Sequence, residues 1–211
     1  MGTTHPSTAV YIPLTQKQPY NPLHPNDMNE LEKMKQGMLY DFSAPEPQQS
    51  HIECMIKNEA FNRTPMYDTE AHRRTLEALI PGIPPTTDIA PPFYCDHGHM
   101  ITIGSDTFIN YGATILDGGG ITIGNHCKIG PNCQIYTINH PLDYMQRRQP
   151  VETGYHVTIG DDCWLGGGVI LCPGVTIGNR CIIAAGSVVT RDIPDDTLAA
   201  GNPATVKRKL R

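Results

Sequence analysis

The chain has 211 residues, of which 39% are apolar, and its formal net charge at pH 7 is −5. This length fits one large domain, or one domain with a small appendage, and the negative charge gives no general reason to bind nucleic acid or an anionic membrane. No apolar run reaches the roughly 18 residues of a transmembrane helix and the polar start has no signal-peptide core, so we expect a cytoplasmic protein.

The first part of the chain divides into a polar arm and a helical segment. Residues 1–26 are rich in proline and have little to bury, which predicts a flexible N-terminal arm. Residues 27–85 are predicted to be helical. The markers of three helices are, in order, a capping-box-like start at Asp27 and Glu30, the apolar residues Ile52, Met55 and Ile56, and a start at Asp68 or Thr69.

A six-residue period dominates the chain from residue 86 to residue 194. In its most regular part the recurring aliphatic residues are Ile159, Leu165, Leu171, Ile177, Ile183 and Val189. Neither a helix nor a pleated strand requires this spacing, whereas a parallel β-helix with three flat sides does. The pattern therefore predicts a mainly β fold, and residues 195–211 are expected to cap it.

The same period runs earlier in two frames, which the glycine run at 118–120 separates by inserting two residues. A small side chain recurs four positions after each aliphatic residue, and cysteine occupies that position at Cys127, Cys133, Cys163 and Cys181. None of the seven cysteines has the CxxC spacing. We interpret these four as compact core residues in a reducing compartment rather than as disulfides or metal ligands.

Residues 136–156 interrupt the period before it resumes at Val157. A 21-residue interruption in so regular a coil is more often functional than a plain surface insertion, although the insertion remains the alternative. His140 lies in this loop, and histidine is the side chain best suited to accept a proton near neutral pH. The loop is therefore the predicted catalytic segment.

Several motifs together resemble the galactoside, maltose and nodulation-type O-acetyltransferases. The similarity covers about residues 28–211, and the segments that carry it are Lys33–Asp41, Ile135–Asp143, Cys163–Gly168, Pro173–Gly178, Ala184–Asp192 and Ala199–Ala204. The resemblance implies a left-handed parallel β-helix that forms a homotrimer with active sites between subunits. It also implies acetyl-CoA as co-substrate, a small sugar-like acceptor, no metal requirement, and His140 as the general base.

The resemblance also implies roles for other residues by position. The acceptor contacts are Asp41, Asp96, Asn110 and Asp117, and the cofactor contacts are Trp164, Gly167, Ala185, Thr190, Arg191, Thr205 and Arg208. Three positions depart from the family pattern: Gly167 stands where serine is frequent, Thr205 where arginine is frequent, and His97 where tyrosine is frequent. Polar turn residues and a solvated basic tail are the plain alternatives for several of these positions.

Other functions share the six-residue period. A zinc-dependent hydratase of the γ-carbonic-anhydrase type needs three histidines at an interface; His97, His99 and His126 are available, but their spacing fits that family poorly. A non-catalytic scaffold would not need the His140 loop. A xenobiotic acceptor or a serine acceptor also remains open within the transferases.

Overall fold

The computed structural model describes residues 28–211, so the arm predicted for residues 1–26 lies outside the described part. The N-terminal segment contains α1 (Glu30–Lys35), β1 (Leu39–Asp41), α2 (Pro45–Arg63) and α3 (Thr69–Leu79). The capping box predicted at Asp27 and Glu30 is instead formed by Asn29 and Glu32, which exchange two side-chain-to-backbone hydrogen bonds of 2.9 Å. The strand β1 was not predicted.

The apolar residues that marked the second helix in the sequence are not the ones that it buries. Ile52, Met55 and Ile56 do lie in α2, but at least half of each side chain is exposed. The buried positions of α2 are Pro47, Cys54, Asn58 and Phe61. The start predicted for the third helix is confirmed, because Asp68 caps α3 by accepting a hydrogen bond of 3.1 Å from the Ala71 N–H.

The remainder of the chain is a β-solenoid of about six turns built from short parallel strands, as the six-residue period predicted. The strands are β2 (Asp88–Ile89), β3 (Phe93–Cys95), β4 (Ile101–Ile103), β5 (Phe108–Ile109), β6 (Ala113–Leu116), β7 (Ile121–Ile123), β8 (Lys128–Ile129), β9 (Gln134–Tyr136), β10 (Ile138–Asn139), β11 (Val151–Gly154), β12 (Val157–Ile159), β13 (Trp164–Leu165), β14 (Ile170–Leu171), β15 (Thr176–Ile177), β16 (Ile182–Ile183), β17 (Val188–Val189), β18 (Thr197–Gly201) and β19 (Ala204–Lys209).

The solenoid has three faces, and each buries one column of aliphatic side chains. The first face is the sheet β4-β7-β12-β15, the second runs from β2 through β5, β8, β13 and β16 to β18, and the third is β3-β6-β9-β14-β17. On the second face, for instance, Ile129, Leu165 and Ile183 are in direct register and almost fully buried. Residues six apart thus occupy successive faces, and equivalent residues stack from turn to turn.

The four repeat cysteines are buried free thiols inside this core, as expected. Each thiol also lies against a backbone carbonyl oxygen of the adjoining turn. The Sγ–O distances are 3.1 Å from Cys127 to Gly160 and 3.0 Å from Cys163 to Gly178. A small side chain with a weak donor therefore suits these corners.

The interruption at residues 136–156 folds back on the N-terminal segment. Its strands β10 and β11 form a three-stranded antiparallel sheet with β1, and a single 3-10 turn (Gln146–Arg148) lies between them. At the base of the loop Gly119 packs directly against Gly154, where a Cβ on either residue would overlap backbone. The glycine run that resets the repeat thus makes room for the loop.

A hairpin closes the C-terminal end of the solenoid. Strand β18 continues the second face parallel to β16, and β19 pairs with β18 in the antiparallel direction. The outer strand carries Lys207, Arg208 and Lys209, which are exposed. This hairpin occupies the region predicted as a C-terminal cap.

Candidate active site

A cavity of about 460 Å³ lies where the loop, β1, α2 and the end of β3 meet. It is lined by Tyr40, Phe42, Pro47, Gln48, His51, Ile52, Asp96, His97 and Glu152. Its polar lining consists of carboxylic acids, histidines, an amide and a phenol. Such a surface offers several hydrogen-bonding atoms to a small polar ligand.

His140 stands beside this cavity, and half of its side chain is exposed (52%). Its Nδ1 lies 3.4 Å from the carbonyl oxygen of Val151, and its Nε2 lies 3.9 Å from Oε2 of Glu152. The ring of Phe42 meets the imidazole edge-on, with 6.3 Å between ring centroids. One imidazole nitrogen is thus held toward the backbone while the other faces Glu152 and the cavity.

Glu152 and Tyr40 form a pair that the sequence did not reveal. They are directly opposite in the antiparallel pairing of β11 and β1, and the Tyr40 phenol donates a hydrogen bond to Oε1 of Glu152. Tyr40 is buried, and that burial together with the adjacent Glu152 raises the pKa of the phenol far above its ordinary value. Tyr40 therefore remains a hydrogen-bond donor at any physiological pH.

Asp117 lies beneath the cavity wall rather than on it. Its side chain is fully buried, and Oδ1 accepts hydrogen bonds of 2.9 Å from the backbone N–H groups of Asp96 and His97. Its Oδ2 has no hydrogen-bond partner among the described residues. Burial raises the pKa of Asp117 although these backbone bonds oppose the shift. In this chain Asp117 fixes the segment that carries Asp96.

Asp96, one of the residues predicted to contact the acceptor, lines the cavity. Burial raises the pKa of Asp96 to about 6, and repulsion from the carboxylate of Asp117 is the next largest cause of this shift. Burial lowers the pKa of His97 to about 4, and the charge of the neighbouring His99 is the next largest cause of this shift. Nδ1 of His97 lies 2.9 Å from Oγ of Ser50, so helix α2 also holds this wall. At neutral pH the pair presents a carboxylate and a neutral imidazole.

The other two predicted acceptor contacts do not line this cavity. Asp41 is in β1, where Oδ1 accepts hydrogen bonds from the backbone N–H (2.8 Å) and the hydroxyl (2.6 Å) of Ser43. Asn110 follows β5 on the second face of the solenoid, and its Oδ1 accepts a hydrogen bond of 2.8 Å from the Tyr111 N–H. Asn110 belongs to a separate groove.

That groove has a volume of about 570 Å³ and runs along the second face and its corner. It brings together four of the predicted residues, Asn110, Trp164, Gly167 and Ala185. Trp164 is 56% exposed, and it pairs in parallel register with Lys128 on one side and Ile182 on the other. The N–H of Gly167 makes no hydrogen bond within residues 28–211. This groove, named the Trp164 groove, shares no lining residue with the cavity beside His140, named the His140 cavity.

The remaining predicted cofactor contacts lie outside the groove lining. Thr190 and Arg191 follow β17 on the third face, and Arg191 is exposed. Thr205 and Arg208 are in the outer strand β19, where the Thr205 hydroxyl accepts a hydrogen bond of 2.9 Å from Lys207 Nζ. A single chain therefore does not gather all seven predicted cofactor contacts in one place.

The histidines of the hydratase alternative are not assembled in the described chain. His97 and His99 are neighbours with 6.0 Å between ring centroids, whereas His126 lies 3.7 Å from Asp106. Residues 28–211 contain no group of three or more histidine, cysteine, aspartate or glutamate side chains placed to hold a metal ion. Nor does this part of the chain contain a helix both long and apolar enough to cross a membrane.

Three family models match the chain. The maltose acetyltransferase hexapeptide capping motif matches residues 33–84, the hexapeptide repeat of succinyl-transferase matches residues 100–136, and the bacterial transferase hexapeptide (six repeats) matches residues 156–191. Together they cover the helical segment and most of the solenoid.

Similar proteins include known transferases. A putative acetyltransferase of Saccharomyces cerevisiae is 42% identical over 87% of this chain and 94% of its own length. The galactoside O-acetyltransferase of Lactococcus lactis is 35% identical over 87% of this chain and 90% of its own length. A hexapeptide-repeat acetyltransferase of Vibrio cholerae, solved with acetyl coenzyme A, is 38% identical with a TM-score of 0.78 over 87% of this chain and all of the other.

The solenoid, its histidine-bearing loop and these similarities define an enzyme of the acetyl-CoA-dependent acetyltransferase class. The chain belongs to the hexapeptide-repeat acetyltransferases of the maltose and galactoside type, as its motifs predicted.

Proposed function

We propose that this enzyme transfers the acetyl group of acetyl-CoA to a hydroxyl of a sugar or similar small acceptor, with His140 as general base. The observation that carries the proposal is the position of His140 at the edge of a polar cavity of about 460 Å³. The names of relatives, among them a galactoside O-acetyltransferase, support a hydroxylated acceptor. Seven free thiols support a cytoplasmic location.

In the proposed reaction His140 acts through Nε2. The Val151 carbonyl lies on the Nδ1 side, where it favours a proton on Nδ1 and a lone pair on Nε2. Nε2 removes the proton of the acceptor hydroxyl while the oxygen attacks the thioester carbonyl carbon. The tetrahedral oxyanion then collapses, the C–S bond breaks, and the imidazolium returns the proton to the CoA sulfur. No covalent enzyme intermediate is needed.

Gly167 is the proposed donor to the oxyanion. Its N–H has no partner among the described residues and borders the groove beside Trp164. A backbone donor aimed at developing negative charge stabilises the transition state without reorganising. The Gly167 N–H would thus take the role that a serine side chain has at this position in other members of the family.

The two parts of the site lie on different faces, which supports assembly as a cyclic homotrimer. The His140 cavity of one subunit would face the Trp164 groove of the next, since a heterologous interface joins two different surfaces of the same chain. Acetyl-CoA would occupy the groove, with Ala185 beside it and with Thr190, Arg191, Thr205 and Arg208 toward the CoA phosphates. Arginine suits that contact because its planar fork matches phosphate oxygens.

An acetyl-CoA thiol-release assay tests the proposal against mono- and disaccharides, glucosamine, chloramphenicol and serine. We expect turnover with a sugar, and His140→Ala should lower it about 100-fold because a positioned general base is lost. His126→Ala is the control, since that exposed histidine lies beside Asp106 and lines neither pocket. Wild-type turnover by the His140→Ala enzyme would remove His140 from the mechanism.

A further inference from the structure

Two cysteines from separate elements meet behind the wall of the His140 cavity. Cys54 lies in α2 and Cys95 ends β3, and their Sγ atoms are 3.6 Å apart. The Cys54 thiol also donates a hydrogen bond of 3.4 Å to the carbonyl oxygen of Cys95. Both residues are free thiols, and they are only 1% and 6% exposed, respectively. The two sulfur atoms are therefore in direct contact inside the core.

This contact suits the formation of a disulfide bond. The sulfur atoms of a disulfide are about 2.0 Å apart, so the pair has to close from 3.6 Å by a small approach of α2 toward β3. Asn58, one turn after Cys54 in α2, donates its amide hydrogens toward the two sulfur atoms at 3.4 and 3.6 Å. A hydrogen bond to sulfur favours the thiolate, which is the form that reacts.

An oxidant can reach the pair from the Cys95 side. Cys95 is among the residues that line a neighbouring cavity of about 700 Å³, together with Asn58 and Tyr94. The hydrogen bond with Cys54 and burial raise the pKa of the Cys95 thiol, so the reduced pair is mostly protonated and we expect it to react slowly. Such a pair suits a response to sustained oxidation.

We propose that Cys54 and Cys95 are a redox site at which a peroxide forms a disulfide bond and so lowers acetyl transfer. Cys95 Sγ attacks one peroxide oxygen, the O–O bond breaks, and the first water leaves as Cys95 becomes a sulfenic acid. Cys54 Sγ then attacks Cys95 Sγ, the S–O bond breaks, and the second water leaves. Two thiols are oxidised while one peroxide is reduced to two waters. A dithiol reductant reverses the link, as is usual for disulfides in a reducing compartment.

The disulfide would act on the wall of the His140 cavity. Asp96 lines that cavity and directly follows Cys95, and Ile52 lines it two residues before Cys54. Oxidation removes the hydrogen that Cys54 donates to the Cys95 carbonyl and draws α2 toward β3. Displacing binding groups by about 1 Å can slow catalysis about 100-fold. The inference rests on the proposed function in one respect, since this cavity must bind the acceptor.

The test treats the reduced enzyme with hydrogen peroxide, digests it without reduction and identifies linked peptides by mass spectrometry. A link between Cys54 and Cys95 should accumulate while kcat/KM for the acceptor falls about 10–100-fold, and dithiothreitol should reverse both changes. Activity is followed through the mass of the acetylated product, because peroxide and dithiothreitol disturb the detection of released thiol.

Three variants identify the cysteines responsible. Cys54→Ala should keep most of the reduced activity, since Cys54 lines neither the His140 cavity nor the Trp164 groove, and it should lose the reversible response. Cys95→Ala should lose the response as well, so the test stands if one variant fails to fold. Cys172→Ser is the control. It removes the one cysteine that is not buried among the seven, all of which lie in the described chain, and should respond like the wild type.

Full activity of the wild type despite a complete link between Cys54 and Cys95 would overturn the inference. So would an equal loss of activity in wild type and Cys54→Ala, or a link between other cysteines instead. Absence of turnover by the reduced enzyme with every acceptor would overturn the proposed function. The linked peptides need no turnover, so their absence after peroxide treatment would overturn the redox site separately.

Discussion

At the scale of single residues, Asp96 carries conflicting demands of stability and function. The sequence predicts that Asp96 contacts the acceptor, yet burial and Asp117 disfavour its charge and raise its pKa to about 6. Such a carboxyl keeps its proton in the folded chain over a pH range in which the unfolded chain has lost it. The ionised form is therefore retained at a cost in stability, as is common in functional sites.

Asp96→Asn should stabilise the protein at neutral pH. Because the pKa is raised from 3.8 to about 6, the stability of the wild type falls as pH rises through that window and levels off above it. Allowing for partial solvation, the variant should gain about 2 kcal/mol at pH 7 and almost nothing at pH 4. Urea unfolding at both pH values, at fixed protein concentration, measures the difference.

Two further measurements complete this prediction. Acceptor kcat/KM should fall in Asp96→Asn, while Asp68→Asn, which changes an exposed helix cap, should keep wild-type activity. A free-energy gain that is equal at pH 4 and pH 7 would show that the titration of Asp96 does not contribute to stability.

The sequence predicted a catalytic role for His140 because the loop interrupts a regular period and carries a histidine suited to base catalysis. It did not identify Glu152, since one carboxylate in a polar loop has no pattern of its own. The Tyr40 phenol that holds Glu152 is 112 residues away along the chain, and only the folded pairing places the two side chains opposite each other. The buried position of Asp117 was equally hidden, because turn aspartates are usually exposed.

At the scale of elements, the N-terminal segment forms part of the site. Strand β1 has only three residues and no partner nearby in sequence, so local propensity gave no signal for it. The apolar residues Ile52, Met55 and Ile56 predicted helix α2 correctly. In the fold Ile52 lines the cavity, and Met55 and Ile56 are exposed. Contacts with parts of the chain distant in sequence decided both the formation of β1 and the buried face of α2.

Gly98 is where helix α3 meets the segment that carries Asp96. It has a positive φ of 68°, is buried, and a Cβ there would overlap the backbone carbonyl oxygen of Leu79. Gly98→Ala should therefore cost about 3 kcal/mol of unfolding free energy, from backbone strain and displacement of α3. Chemical denaturation checks the value.

Gly82→Ala is a matched control for this change. Gly82 also has a positive φ, of 82°, but nothing lies within 4 Å of its added Cβ, so only the backbone strain of about 1 kcal/mol remains. Similar losses in both variants would mean that α3 does not press against this segment.

At the scale of the whole molecule, the fold was predicted more completely than the site. The six-residue period indicated stacked aliphatic columns, and the register of Ile129, Leu165 and Ile183 follows it directly. The six-residue period does not predict which polar side chains from separate faces come together in a pocket. The division of the predicted residues between the His140 cavity and the Trp164 groove therefore had to come from the folded chain.

Mixed subunits test whether those two faces meet between chains. His140→Ala and Trp164→Ala should each be nearly inactive alone. After unfolding and refolding as an equimolar mixture, about one quarter of the sites should combine an intact loop with an intact groove, so about one quarter of wild-type activity should return. Thiol release and sedimentation of the mixture are the measurements.

Each variant refolded alone is the control for the mixing. No recovery from a mixture that sediments as a trimer would contradict an active site shared between subunits. Sedimentation of the active wild-type enzyme as a monomer would contradict it as well.

The C-terminal hairpin has a consequence for the solubility of the chain. A ladder of parallel strands ends in unpaired backbone groups that can template another ladder and so grow a fibre. Strand β19 reverses the direction of pairing and places Lys207, Arg208 and Lys209 on the outermost edge. Like charges on two such edges repel each other, so this basic edge, which includes the proposed CoA contact Arg208, would also keep solenoids from joining end to end.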